Sequence, residues 1–219
     1  MEISYPLLAD RIRGCTACFF RTADIEPLPA IHARPPVSIM FVGENPSWQA
    51  GQLAPFDPST ISGQSLDANY LQPLAPSRDD VWVTDLFKCR YPKAIYRSKT
   101  KNEGRIRREV VEACKQWLLA EIAYAQPDVL VTLSDRQVYQ RIRQVFSLPT
   151  PARFASAAGK PHVINLNGQE LTLFPMVHPD VARPPDQGDR RKLRAREKWA
   201  PIHAGEHVPA LAALLPSKS

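Results

Sequence analysis

Three short apolar runs constrain the fold of this chain more than any other feature of its sequence. They cover residues 37–42, 81–84 and 128–133. Apolar runs of this length are typical of strands buried on both faces, as in a parallel sheet. Between the second and third runs, residues 105–125 place apolar side chains at helical spacing. The pattern predicts an α/β fold, a three-layer α/β/α sandwich around a central, mainly parallel sheet.

Two further signals extend this prediction along the chain. Ser134 and Asp135 follow the third run and indicate the N-cap of a second helix. Two strand-like segments within 162–174 flank Asn167 and Gly168, a pair that is typical of a tight hairpin turn. No internal repeat is visible, and no apolar run approaches the roughly 20 residues that a membrane helix needs. We therefore expect one domain over the whole 219-residue chain, outside any membrane.

Four cysteines form a close pair, Cys15 and Cys18, and two distant partners, Cys89 and Cys114. A C-x2-C pair lets two sulfurs grip one ion or cluster, and the fold must supply the other two. The spacing alone does not choose between zinc and iron–sulfur. The alternatives are small buried side chains or disulfides. The charged N-terminus does not resemble a secretory signal, so we expect a cytoplasmic protein with reduced thiols.

Basic residues dominate the charge of the chain, which has a formal net charge of +6. They concentrate in two clusters, over 90–108 and 183–198. Clustered Lys and Arg release counterions when they follow a phosphate backbone, so we expect a nucleic-acid partner. A basic solvated surface is the alternative reading of each cluster.

Polar residues stand directly after the predicted strands. Gly43, Glu44 and Asn45 follow the first strand, Asp85 follows the second, and His178 follows the late hairpin. In open α/β sheets, ligands bind where the carboxyl ends of the strands meet their loops. Taken alone, the Asn-Pro pair is a turn signal and the histidine is an ordinary surface residue. Their convergence on one edge of the sheet predicts a candidate site.

These residues carry a resemblance to a known family. The chain resembles the uracil-DNA glycosylase superfamily, and most closely its family 4 branch. The resemblance implies a monomeric, monofunctional repair enzyme that flips a deaminated base, expected to be uracil, out of single- or double-stranded DNA. Such an enzyme is expected to hydrolyse the N-glycosidic bond and leave an abasic site, in the cytoplasm of a bacterial or archaeal cell. The resemblance rests on six motifs in order: Cys15-x2-Cys18, 41–46, Pro55-Phe56, 83–90, Cys114 and 177–179.

The resemblance also implies a cofactor and a role for each site residue. It implies a [4Fe–4S] cluster, with zinc as the alternative. The expected cluster ligands are Cys15, Cys18, Cys89 and Cys114. The expected catalytic residues are Glu44, Asn45 and His178. The expected base-binding residues are Gly43, Phe56 and Asp85. The expected DNA-binding residues are Ser47, Lys88, Arg90, Pro179, Val181 and Arg183.

The chemistry explains why these residue types are needed. Cleavage builds negative charge on the departing base, which His178 would stabilise through a hydrogen bond. Glu44 or Asn45 would position the attacking water. Phe56 would stack on the flipped base, although ordinary core packing is its alternative role. Val181 would enter the minor groove as a small wedge.

The chain departs from the family 4 pattern in its first motif. That motif reads Gly-Glu-Ala-Pro-Gly, whereas this chain has Asn45 in the third position and Ser47 in the fifth. An Asn in the third position resembles the mismatch-specific branch, in which the amide holds the water. We therefore expect Asn45 to position the water, with Glu44 assisting.

Asp85 is the second departure, because many family 4 members have Asn at this position. An amide accepts from uracil N3–H and donates to O4, whereas an ionised carboxylate only accepts. The lost bond costs about 1–3 kcal/mol for an unpaired buried polar group. A protonated Asp85 complements cytosine, and an ionised one accepts from N1–H of hypoxanthine or xanthine. The alternative is that Asp85 points away and caps the next loop.

The spacing between Cys89 and Cys114 is longer than is common in family 4, and the added residues are basic. We interpret residues 96–108, within a basic insert around 93–108, as a DNA-facing loop. A disordered or solvated arm is the alternative. Two other functions also stay open: a DNA-binding iron–sulfur protein of the same fold that is inactive or altered in base specificity, and a metalloprotein acting on a small nucleotide.

Overall fold

The computed structural model of the chain describes most of its residues. For residues 101–108 and 136 it describes the backbone alone. The described ranges are 4–18, 27–30, 34–46, 54–74, 76–90, 101–185 and 192–216.

Five strands form one sheet in the order β2-β1-β3-β5-β4. β1 pairs in parallel with β2 and β3, and β3 pairs in parallel with β5. Only β4 is antiparallel, since it forms a hairpin with β5. Every residue of β1, β2 and β3 is buried, as the three apolar runs predict. The strands are β1 (Ile39–Gly43), β2 (Val81–Asp85), β3 (Val129–Leu133), β4 (His162–Leu166) and β5 (Gln169–Met176).

Helices cover the sheet, and those that contact one another form two groups. In one group α1 and α4 both contact α3, and in the other α6 contacts both α2 and α7. This arrangement confirms the predicted α/β fold. No helix in the described ranges is both long and apolar enough to cross a membrane. The helices are α1 (Tyr5–Arg13), α2 (61–74), α3 (Lys101–Ala125), α4 (135–145), α5 (Phe154–Ala157), α6 (Pro179–Ala182) and α7 (193–212).

Two local expectations need correction. The long helix α3 begins at Lys101, so the backbone over 101–108 is helical and is not a loop. The rest of the basic insert, residues 93–100, lies outside the described residues. Ser134 does not cap α4 with its side chain, and its φ is +133°. Its backbone N–H instead donates to the Met176 carbonyl, which joins the ends of β3 and β5.

The parallel register aligns the strand ends that carry the polar residues. Gly43 at the end of β1 is the register partner of Asp85 at the end of β2. Pairing continues past the strands, because Leu86 N–H donates to the Gly43 carbonyl and Phe87 N–H donates to the Glu44 carbonyl, both at 2.9 Å. The loops after β1 and β2 therefore lie against each other, as a site at this edge requires.

A buried ion pair ties α3 to the end of β2. The Lys88 ammonium lies 2.5 Å from Glu121 Oε2, and the two residues are 1% and 0% exposed. The ammonium also donates to Thr84 Oγ1 and to the Asp85 carbonyl, both at 2.7 Å. Thr84 Oγ1 in turn donates to Glu121 Oε2 at 2.8 Å. This geometry corrects the expectation that Lys88 contacts DNA, because all of these bonds point into the protein.

We predict that Lys88→Met lowers the free energy of unfolding by about 3–5 kcal/mol, because it leaves the Glu121 charge buried without its partner. Urea denaturation measures the loss. Adding Glu121→Leu to Lys88→Met should recover most of it, since an apolar pair of similar volume no longer buries a lone charge.

The matched control is Lys115→Ala, which breaks the exposed Lys115–Glu112 pair on the same helix. An exposed pair contributes at most about 1 kcal/mol, so this variant should remain near wild type. Equal losses in Lys88→Met and in the double variant would contradict the account.

Candidate active site

A cavity of about 560 Å³ opens at the carboxyl edge of the sheet. Its wall combines residues that follow β1, β2, β3 and β5 with residues of α7. The structure brings most of the residues predicted to act on the base into this one wall. They are Glu44, Asn45, Phe56, Asp85, His178 and Val181.

Gly43 permits two residues of the wall, Asp85 and Phe56, to lie close to its backbone. A Cβ at this position would lie 2.3 Å from Asp85 Oδ1 and 2.3 Å from Phe56 Cε2. Real Cβ atoms essentially never come this close to another heavy atom. Phe56 itself adopts a φ of +50°, which turns the chain at this point. The absence of a side chain at Gly43 therefore sets the positions of both Asp85 and Phe56.

Asp85 is buried in the cavity wall and does not turn away to cap the next loop. The residue is 1% exposed, and its Oδ2 has no hydrogen-bond partner among the described residues. Burial raises the pKa of Asp85 to about 8; the Lys88 charge opposes this shift, and the charges of Glu121 and Glu44 add to it. A carboxyl with this pKa is largely protonated at neutral pH.

His178 stands at the N-cap of α6 and has a defined tautomer. Its Nδ1 accepts from the backbone N–H of Asp180 at 3.1 Å, so a neutral ring carries its proton on Nε2. Burial and the Lys192 charge lower the pKa of His178 to about 4, against the opposing charge of Asp180. The ring is therefore neutral at neutral pH and offers an Nε2–H donor. It lies 6.1 Å from the Phe56 ring, centroid to centroid.

Asp180 anchors the segment that carries His178. Its Oδ2 accepts from Lys192 Nζ and its Oδ1 from the Arg196 guanidinium, at 3.1 Å for the arginine. Although burial opposes ionisation, Lys192 and Arg196 hold the pKa of Asp180 below its usual value. Arg196 is 1% exposed and also donates to the Asp180 carbonyl. Helix α7 thus fixes α6 and, through it, the histidine.

The residues predicted to contact DNA differ in their exposure. Pro179 is buried, and its carbonyl accepts from Ser65 Oγ. Arg183 is partly exposed and lies 3.5 Å from Asp180 Oδ1. Arg90 is partly buried at the end of the segment that follows β2. Ser47 lies outside the described residues.

Other residues of the wall were not predicted from the sequence. Ser134 and Asp135 line the cavity and directly follow β3. The rule that ligands bind at the carboxyl ends of strands predicts them as site residues, but the sequence pattern was interpreted as a helix cap. Phe154 and Trp199 pack edge to face at 5.8 Å and close one side of the cavity. No local signal marks these two aromatic residues, because tertiary packing alone brings α5 and α7 to the site.

None of the four cysteines forms a disulfide. Cys15 and Cys18 are partly buried, whereas Cys89 and Cys114 are buried. Burial raises the pKa of Cys114 to about 11; Lys88 opposes this shift, and Cys18 and Cys15 add to it, so the N-terminal pair lies near α3. Trp117 Nε1–H donates to Cys15 Sγ at 3.1 Å. In the described part of the chain, no three His, Cys, Asp or Glu side chains are gathered tightly enough to hold a metal ion.

The donor set nevertheless fits a thiolate-bound metal or cluster. Four thiols outside any disulfide include a C-x2-C pair, and two of them influence the ionisation of a third. Metal ligation requires deprotonated sulfur, and a bound cation would offset the cost of burying a Cys114 thiolate.

Comparison with known proteins gives a consistent result. The sequence profile of the Uracil DNA glycosylase superfamily matches residues 32–196, which is most of the chain. The chain is 26% identical over 206 residues to the Type-4 uracil-DNA glycosylase of Saccharolobus solfataricus, covering 90% of this chain and 88% of that protein. It is 29% identical over 179 residues to the Type-4 uracil-DNA glycosylase of Sulfurisphaera tokodaii, covering 80% and 74% respectively.

We predict that Gly43→Ala destabilises the protein by about 1–3 kcal/mol, because the new methyl group must displace both Asp85 and Phe56. Gly205→Ala is the matched control, since nothing lies within 4 Å of a Cβ there and the position is helical. Alanine at that helical position should be neutral or stabilising by up to about 1 kcal/mol. Urea denaturation of both variants makes the comparison; equal midpoints would show that Gly43 is not a close-contact position.

Proposed function

Because this chain belongs to the uracil DNA glycosylase superfamily, we propose that it flips uracil out of DNA and hydrolyses its N-glycosidic bond, leaving an abasic site. One observation carries the proposal: a neutral histidine donor, a buried carboxyl and an aromatic ring line the same cavity. The relatives named as uracil-DNA glycosylases support the choice of base.

His178 acts on the leaving group. Cleavage of the glycosidic bond moves electrons onto the base, and the negative charge collects on its carbonyl oxygens. The Nε2–H of a neutral His178 donates to that oxygen without transferring its proton. The Asp180 backbone N–H holds Nδ1, so the donor is aimed before the substrate arrives.

Glu44 and Asn45 act on the attacking water. Both follow β1 and line the cavity. Asn45 Nδ2 donates to the Pro46 carbonyl at 2.9 Å, which orients the amide so that its oxygen accepts from a water. The Glu44 carboxylate takes a proton from the same water as the bond to the sugar forms.

Phe56 and Asp85 hold the flipped base. The phenyl ring stacks on the face of the base, a contact that every base provides. Asp85 contacts the Watson–Crick edge. Because Gly43 has no side chain, it sets the spacing between Phe56 and Asp85. This is how Gly43 contributes to base binding.

The DNA strand lies across the same edge of the sheet. Arg90 and Arg183 contact phosphates, and Val181, with Pro179 holding its loop, fills the space that the flipped base leaves. Ser47, the fifth residue of the first motif, contributes a further phosphate contact. The positive net charge of the chain supports salt-dependent binding to DNA. In this proposal the protein acts as a monomer in the cytoplasm.

The decisive experiment for the activity is single-turnover release of base from oligonucleotides that carry uracil, hypoxanthine, xanthine or a mismatched cytosine. Wild type should release uracil. His178→Ala should slow release by about 100- to 1,000-fold, because one preorganised donor to the developing anion is lost. His162→Ala is the control, since this histidine lies on β4 and does not line the cavity.

Binding of the same oligonucleotides is measured in parallel. Tight DNA binding with no release of any base would overturn the proposed activity and favour a DNA-binding protein of the same fold. Release of hypoxanthine or xanthine without uracil would instead correct the substrate.

We propose that Cys15, Cys18, Cys89 and Cys114 hold a [4Fe–4S] cluster with a structural role. The cluster ties the N-terminal segment to α3, and the reaction itself uses the side chains of the cavity. Protein purified without oxygen should contain about four iron and four sulfide per chain and absorb visible light. Cys114→Ser should lose both the metal and stability. Zinc without iron would identify the alternative metal.

A further inference from the structure

Asp85 occupies the position at which an amide side chain would form hydrogen bonds to uracil. The surroundings of Asp85 determine which hydrogen bonds it can form there. We propose that Asp85 reads the base as a neutral carboxylic acid: its carbonyl oxygen accepts from uracil N3–H while its hydroxyl donates to O4. Uracil recognition would therefore be lost as this acid ionises. This inference rests on the proposed function and adds to it the protonation state on which base reading depends.

Burial of Asp85 disfavours its ionised form. Asp85 is 1% exposed, and its Oδ2 has no partner among the described residues. An ionised carboxylate at this place would leave a buried charged oxygen without a hydrogen bond, which is strongly unfavourable. A neutral acid avoids that cost and keeps both oxygens available for the base.

The nearby cation, Lys88, compensates the Asp85 carboxylate only in part. Lys88 Nζ donates to the backbone carbonyl of Asp85 and to Thr84, and it pairs with Glu121 at 2.5 Å. The charge of Lys88 is thus balanced by Glu121 from α3. Its bond to Asp85 reaches the main chain and leaves the carboxyl unpaired.

The other charged groups around the cavity also favour the neutral acid. Glu44, from the loop after β1, and Glu121 both raise the pKa of Asp85. Across the cavity His178 is neutral, Lys192 is paired with Asp180, and Asp135 carries a further acidic group. Lys88 alone opposes the shift, and burial outweighs it.

The chemistry of the acid then matches that of an amide. A neutral carboxyl presents one donor and one acceptor side by side in a plane, as the side chain of Asn does. The edge of uracil presents N3–H beside O4, so the two sets of groups are complementary. An ionised Asp85 presents two acceptors, and its second oxygen would face O4 without a proton between them.

The test compares the pH dependence of uracil release by wild type and by Asp85→Asn. The amide does not titrate, whereas the other ionisable groups of the site and the DNA are present in both proteins, so the ratio of the two rates reports mainly the ionisation of Asp85. With a pKa of about 8, the neutral fraction of Asp85 falls about tenfold between pH 7 and pH 9. We expect the ratio of the wild-type to the Asp85→Asn rate to fall by about the same factor.

A ratio that stays constant from pH 6 to pH 9.5, or that rises with pH, would overturn the inference while leaving the proposed function intact. If neither protein releases uracil at any pH, the proposed function itself fails, and the reading of uracil fails with it.

The protonation of Asp85 has a second readout that needs no activity. A group with a raised pKa in the folded state stabilises the protein at low pH and loses that contribution as pH rises through the folded value. The unfolding equilibrium constant of wild type should rise relative to that of Asp85→Asn by up to about tenfold per pH unit between about pH 5 and pH 8, and should level off above about pH 8. Parallel stability profiles would show that Asp85 is ionised throughout and would overturn the inference.

Discussion

Lys88 and Glu121 pair in the interior, directly beneath the edge of the sheet at which the cavity opens. The pair connects three parts of the molecule: β2 through Thr84 and the Asp85 carbonyl, the segment after β2 through Lys88 itself, and α3 through Glu121. Because Glu121 balances the charge of Lys88, Lys88 offsets the burial of the Asp85 carboxyl only in part. One internal ion pair thus positions the loop before Cys89 and also leaves Asp85 free to hold a proton.

Two ionisable side chains of the cavity wall, His178 and Asp85, are kept uncharged by their surroundings. His178 is kept neutral by burial and by Lys192, and its tautomer is fixed by the Asp180 backbone. Asp85 is kept neutral by burial, with acidic neighbours adding to the effect. In the proposed function, both groups meet the flipped base as uncharged hydrogen-bonding partners, and hydrogen bonds of buried groups are stronger than those in water. The buried Lys88–Glu121 pair holds the Asp85 main chain, and the ion pairs of Asp180 with Lys192 and Arg196 hold the segment that carries His178.

Much of this arrangement follows from the sequence, for physical reasons. A strand buried on both faces is mostly apolar, so β1, β2 and β3 are visible in the sequence as apolar runs, and the polar residues at or just past their ends are visible as a site. A sequence does not reveal which lysine is buried, so Lys88 was misassigned to the DNA surface. It also does not reveal that α5 and α7 meet, so Phe154 and Trp199 were missed. The backbone bond from Ser134 to Met176 likewise depends on the neighbouring strand.

The account is tested most directly by a crystal structure of the protein with uracil and abasic DNA, the products of the proposed reaction. It predicts uracil in the cavity, stacked on Phe56, with one carbonyl oxygen on His178 Nε2 and the N3–H and O4 edge within hydrogen-bond distance of both Asp85 oxygens. Uracil bound elsewhere, or its edge turned toward Asp135 with Asp85 still unpartnered, would contradict it.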